Sequence, residues 1–156
     1  MEINQINWAE EFAEKHYNDL EPETKEGAIN FARAIILYKR KEFDRALEML
    51  NKTKLSQFLF KLSIKTFYLR IYYEKGDFQS AGFALDSYKQ FLYKNKTISD
   101  AYRNVYLNFA GMYNDLLRTA SGEKISGKNE LMSKIETLSP NVYNKHWLIE
   151  MIGNLK

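Results

Sequence analysis

An all-α fold of about seven to eight antiparallel helices is what this 156-residue sequence predicts. Three observations predict it. Helix breakers are scarce and large apolar side chains abundant, with 2 Pro and 7 Gly against 11 Tyr and 10 Phe. That balance favours long helices packed on one another. β-Branched residues nowhere alternate over a useful length, so strand signals are thin. A phrase is also written twice at a fixed distance: RKEFDRALEML at 40–50 returns as KGDFQSAGFAL at 75–85.

The elements follow in order. Residues 5–19 place Trp8, Phe12 and Tyr17 at helical spacing, with Asn7 as a cap and Glu10 and Glu11 suited to a helix N-terminus. Pro22 ends that segment and biases Glu21 to extended geometry. A second helix over roughly 23–40 carries Ile29, Phe31, Ala32, Ile35, Ile36 and Tyr38. These cover more than one face, so it is expected to be contacted on two sides. A turn at Arg40–Glu42 leads to a third helix near 43–53, where Phe43, Ala46, Leu47 and Leu50 make an i, i+3, i+4, i+7 stripe. A fourth helix is expected over 55–75. Gly76 then supplies a left-handed turn, and Asp77 offers a cap to a fifth helix over 78–94. The polar run KNKTISD precedes a sixth helix over 98–119, expected to run unbroken through Gly111 because no capping residue follows it. TASGEKISGK reads as loop. Two shorter helices near 128–138 and 142–154 flank Pro140.

The pairs Ile36/Ile71, Tyr38/Tyr73, Glu42/Asp77, Phe43/Phe78, Ala46/Ala81 and Leu50/Leu85 all lie 35 residues apart. A period near that length with one helix pair per unit marks a repeat array. The residues that carry it are Leu37 followed by Glu42-Phe43-Asp44-Arg45-Ala46, and Tyr72 followed by Gly76-Asp77-Phe78-Gln79-Ser80-Ala81. In this the chain resembles the tetratricopeptide family, with two full units over 27–61 and 62–96. Residues 97–156 resemble a degenerate unit plus C-terminal capping helices, within one domain spanning 1–156. The resemblance implies an α-α superhelix in which Phe43 and Phe78 plug the gap between diverging helices and Ala46 and Ala81 mark their close crossing. The sequence departs from the pattern at Lys41, where the turn Gly is missing, at Leu69, and at Leu116. Trp8 aligns with the opening of a second helix. Residues 1–26 are therefore either a terminal cap or half a unit of a longer array.

The same sequence excludes several chemistries. It has no cysteine, hence no disulfide, thiolate ligand or cysteine nucleophile. Its glycines form no phosphate-cradling loop. His146 and Glu150 are spaced four apart, but one pair falls short of a metal-ligand set and reads as a solvated surface pair. Ser121 and Ser126 are loop serines, and the two NKT triplets read as helix-ending turns. No catalytic, metal or cofactor-binding residue is assigned. The start MEINQINWAEEF lacks a basic-then-apolar leader, and the longest uncharged run, 104–114, is about half the length a spanning helix needs. The expectation is a soluble cytoplasmic protein without membrane contact.

Charge is uneven. Residues 1–26 carry 2 basic and 8 acidic groups, and residues 27–96 carry 14 and 6. The basic middle, through Lys39, Arg40, Lys41, Lys52, Lys54, Lys61, Lys65 and Arg70, could meet phosphate while Tyr38 and Tyr73 stack on bases. Nucleic-acid binding by 27–96 is therefore the alternative. The leading expectation is a non-enzymatic scaffold for a protein or peptide. The resemblance implies a concave partner-binding face lined by Phe31, Ile35, Tyr38, Lys39, Thr66, Arg70, Tyr73 and Asn108. Tyr38, Tyr73 and Asn108 would form a column, and Arg70 would be its best-placed cation. The Lys-and-Asn carboxylate clamp of some family members is missing, since Phe31 and Ile35 stand at its positions.

Overall fold

A computed structural model describes residues 21–123 and 126–156, so the helix expected over 5–19, Trp8 included, lies outside the described residues. The described residues are all-α, with seven helices and no strand among them. They fall into two compact units that divide between Lys75 and Gly76.

In the first unit, α1 is Pro22–Lys39, α2 is Phe43–Lys52 and α3 is Phe58–Lys75. Pro22 opens α1 from an extended Glu21, where its missing N–H costs nothing. The end of α1 is tightly closed. Lys41 donates its N–H to the Tyr38 carbonyl and Glu42 to the Leu37 carbonyl, the paired bonds of a Schellman cap. That cap requires a left-handed residue, and Lys41 supplies it at φ 61° without being glycine. Its ammonium reaches the Glu74 carboxylate of α3, a contact that glycine could not make. The missing turn Gly is thus offset by an ion pair.

Helix α2 lies against α1 across a three-residue turn, burying Ala46 and Leu50. The unit's core joins Phe31, Ala34, Ile35 and Tyr38 of α1 to these two, to Leu55, and to Phe60, Phe67 and Ile71 of α3. Phe31 meets Phe60 and Phe67 edge-on, with centroids 6.5 and 5.7 Å apart. Tyr38 meets Phe67 in the same way at 5.5 Å.

Helix α3 begins at Phe58 and not at Leu55 as expected. Leu55 is instead a core residue delivered by the connecting segment, and it lies over Gly27. A Cβ built on Gly27 would stand 2.6 Å from the Lys54 carbonyl oxygen and 2.9 Å from Leu55 Cδ2. On Gly111, inside a later helix, it would meet nothing within 4 Å. Alanine should therefore act with opposite sign at the two sites. Gly111→Ala is expected to stabilise by about 0.5–1 kcal/mol from helix propensity alone. Gly27→Ala is expected to destabilise by about 1–2 kcal/mol, because a backbone carbonyl must move. Urea denaturation of the two variants checks this, and shifts of the same sign would contradict it.

In the second unit, α4 is Phe78–Lys94, α5 is Asp100–Ala120, α6 is Lys128–Leu138 and α7 is Lys145–Gly153. Gly76 takes the left-handed turn at φ 78°. Asp77 caps α4 by accepting the Ser80 N–H at 3.1 Å. Ser99 caps α5 in the same way for Tyr102. Helix α5 runs unbroken through Gly111 and packs against α4, α6 and α7, which makes it the axis of this unit. Asn95, from the second NKT triplet, ends α4, and Thr53, from the first, ends α2.

One side chain organises the α4–α5 connection. The Arg103 guanidinium donates to the Leu92 carbonyl at 3.1 Å, to Asn95 at 2.9 Å and to Ile98 at 3.4 Å. It thereby satisfies the Leu92 and Asn95 carbonyls at the end of α4, beyond the reach of helical N–H groups, and the Ile98 carbonyl of the connection. The segment before α7 is pinned to α5 by the Tyr143 N–H on the Val105 carbonyl and by the Asn108 amide on the Asn141 carbonyl at 2.8 Å.

Candidate functional site

The residues expected to line a concave face divide by burial. Phe31, Ile35, Tyr38, Thr66 and Arg70 are all buried, between 2 and 7% exposed. Side chains so enclosed cannot touch a partner while the unit is folded, and this corrects their assignment as surface residues. Lys39 is exposed, and Tyr73 and Asn108 are half-buried. Asn108 spends its amide on Asn141, and Thr66 returns its hydroxyl to the Leu62 carbonyl at 2.9 Å. Burial pushes the Tyr73 phenol up to about 12. Of the column, Tyr38 and Tyr73 belong to the first unit and Asn108 to the second.

Arg70 and Tyr38 do come together, for a structural purpose. The Arg70 guanidinium lies 4.8 Å from the Tyr38 ring centre and 5.4 Å from that of Phe67. Its Nε–H donates to the Tyr38 hydroxyl at 3.1 Å. That hydroxyl donates in turn to the Glu74 carboxylate, which also takes the Lys41 ammonium. Burial drives the Tyr38 phenol well above its ordinary value, against the opposing pull of the Arg70 charge. The hydroxyl is therefore held as a neutral donor. A guanidinium, a phenol, a carboxylate and an ammonium thus bolt α1 to α3, with each polar group answered.

Elsewhere on the first unit a groove of about 500 Å³ runs between α1 and α2. Arg33, Ile36, Leu37 and Arg40 border it from the α1 side. Their spacing of i, i+3, i+4 and i+7 puts them on one helix face. Arg45, Glu48 and Met49 border it from α2, again at i, i+3, i+4. Leu37 and Met49 are half-buried on top of the core, and Ile36 is 43% exposed. Arg45 pairs with Glu42, and Glu48 with Lys52. Among the described residues neither Arg33 nor Arg40 has a carboxylate within ion-pair reach, and both are exposed.

The signal for this groove lay in the second helix, whose apolar residues cover two faces. One face carries Phe31, Ile35 and Tyr38 into the core, and the other carries Ile36 to the surface between two arginines. Pairing Ile36 with Ile71 by the 35-residue period hid it.

Among the described residues there is no group of three or more His, Asp or Glu side chains placed to hold a metal ion. Among the same residues no helix is long and apolar enough to cross a membrane. Set against protein-family models, curated proteins and solved structures, the chain matches none.

Proposed function

We propose that this chain is a non-enzymatic scaffold of tetratricopeptide type, acting alone or as a segment of a longer array, and that it binds a protein or peptide partner. The observation that carries the proposal is the α1–α2 groove. An apolar floor of Ile36, Leu37 and Met49 lies open between arginines that have no partner of their own among the described residues. Exposed apolar surface rimmed by charge is what a protein-binding site presents. The repeat supports the reading independently. Phe43 and Phe78 are both half-buried at the openings of α2 and α4, and Ala46 and Ala81 are both fully buried one turn on.

The nucleic-acid alternative draws less support. Of its cations, Arg70 is buried, while Lys41 and Lys52 are paired with Glu74 and Glu48. Tyr38 is enclosed and offers no ring face to a base.

The test compares the wild-type chain with Arg33→Glu/Arg40→Glu as baits in parallel affinity purifications, both checked for equal helicity. Proteins retained by the wild type should be lost from the double variant. An unchanged set of partners would remove the groove from the function.

A further inference from the structure

The groove's chemistry also narrows its occupant, an inference that rests on the scaffold reading. We propose that it receives an acidic amphipathic helix from a partner protein. The helix lays its apolar stripe on Ile36, Leu37 and Met49 and turns a row of carboxylates toward Arg33 and Arg40.

Four features converge on this. First, two roughly antiparallel helices with an aliphatic floor between them form a trough in which a third helix can lie, the arrangement of helix-in-groove recognition. Met49 adds a side chain that reshapes readily around whatever it meets. Second, Arg40, at the C-cap of α1, follows Arg33 by seven residues, which is about 10 Å, or two helical turns. A partner helix running along α1 meets both with carboxylates at its own i and i+7 positions. Each guanidinium presents a planar fork of donors that matches a carboxylate in two bonds.

Third, the rim is asymmetric. On the α1 side it carries two arginines without a carboxylate among the described residues, and on the α2 side it carries Arg45 and Glu48, already paired with Glu42 and Lys52. A carboxylate row placed against α2 would find its one arginine engaged by Glu42 and the Glu48 carboxylate beside it, so the acidic edge of the partner belongs over α1. This difference between the two edges favours one orientation of the bound helix. Fourth, the floor has no aromatic ring. Single-stranded nucleic acid would find guanidinium groups for its phosphates but no platform on which to stack its bases. An aliphatic floor suits leucine, isoleucine and methionine side chains instead.

The experiment titrates the full chain into a short fluorescein-labelled helical peptide with a leucine stripe and glutamates at i and i+7 along one edge, read by anisotropy. A second probe carries lysine at the two glutamate positions, and a third is single-stranded oligouridine. The glutamate peptide should bind saturably, and the lysine peptide about tenfold or more weakly. Arg33→Gln/Arg40→Gln, at surface positions that leave the core untouched, should weaken the glutamate peptide by about tenfold and reduce its salt dependence. Ile36→Ser should weaken it without changing the salt dependence. Equal binding of both peptides, preference for lysine or for oligouridine, or no saturable binding of the glutamate peptide overturns the inference. So does a concentration-dependent dimer abolished by the arginine substitutions, since the occupant would then be a second copy. The scaffold reading has a separate test in the partner sets of the two baits, so the failures can be told apart.

Discussion

Phe109→Ala should lower the stability of the second unit by about 3–5 kcal/mol, the range expected for removing a large buried ring. Phe109 is fully buried and stands at the meeting point of three helices and a connecting segment. Its ring centre lies 5.8 Å from Tyr88 of α4, 6.0 Å from Tyr113 one turn along α5, 5.8 Å from Tyr143, and 6.5 Å from Trp147 of α7. Most of these are edge-on contacts, which add to area burial because the positive rim of one ring meets the negative face of another. Alanine leaves a cavity that no neighbour can fill alone, since Tyr113 and Trp147 are already stacked on each other at 5.9 Å. At about 2–4 °C per kcal/mol for a chain of this size, the midpoint should fall by roughly 10 °C. Phe109→Leu should fill most of the space, lose the ring contacts and cost roughly a third as much. Chemical denaturation followed by near-ultraviolet circular dichroism reads both variants. An alanine cost below about 1 kcal/mol would show that the ring cluster does not hold the unit together.

Arg70→Ala should cost about 3–5 kcal/mol in the first unit, for a different reason. Arg70 is buried over two aromatic faces, and its charge balances a site that also holds the largely buried Glu74 carboxylate. Removing one member of such a set leaves the others desolvated without their partner, and that penalty exceeds the net worth of the intact interaction. Lysine keeps the charge but lacks the planar group that stacks on Tyr38 and Phe67, so Arg70→Lys should fall between wild type and alanine. Equilibrium urea unfolding of the pair gives the order. Alanine within about 1 kcal/mol of wild type would mean that solvent already shares the site. Any loss of partner capture by Arg70→Ala would report unfolding, so exposed Arg33 and Arg40 are the informative positions for binding.

The helix ends were legible in the sequence where one residue determines them. Gly76, Asp77 and Pro22 act through their own backbone or side chain on the next turn, and the structure uses them accordingly. Helices α2 and α4 were legible too, because Ala46 and Leu50, and Ala81 and Leu85, are buried as their i, i+4 spacing on one helix face requires. Helices α1 and α3 were less so. Ile71 is fully buried while Ile36 is 43% exposed, although the period equates them. A 35-residue spacing records phase along a helix, not what lies across from it. The burial of Phe31, Ile35, Tyr38, Thr66 and Arg70 was hidden for the same reason. Whether an arginine is a bolt or a handle depends on residues some thirty positions away. Arg70 finds the Tyr38 hydroxyl and disappears into the core, whereas Arg33, with an equally ordinary sequence context, stays in water. The segment 55–57 read as helix because nothing local shows that Leu55 reaches back across Gly27.

The Arg103 clamp bears on how the second unit acquires its structure in time. Its three carbonyl partners lie only 11, 8 and 5 residues from it in sequence. Closing a chain loop of about ten residues takes on the order of 10–100 ns, far less than a search for distant partners. The turn between α4 and α5 can therefore be locked while the rest of the unit is still a coil. The aromatic cluster around Phe109 must wait for α7, since Trp147 lies 38 residues downstream of it. The expected sequence is a hairpin made early by a single guanidinium, followed by a slower step in which the C-terminal helices dock. Rapid-mixing experiments would then see α4–α5 helicity arise before the tryptophan signal becomes native.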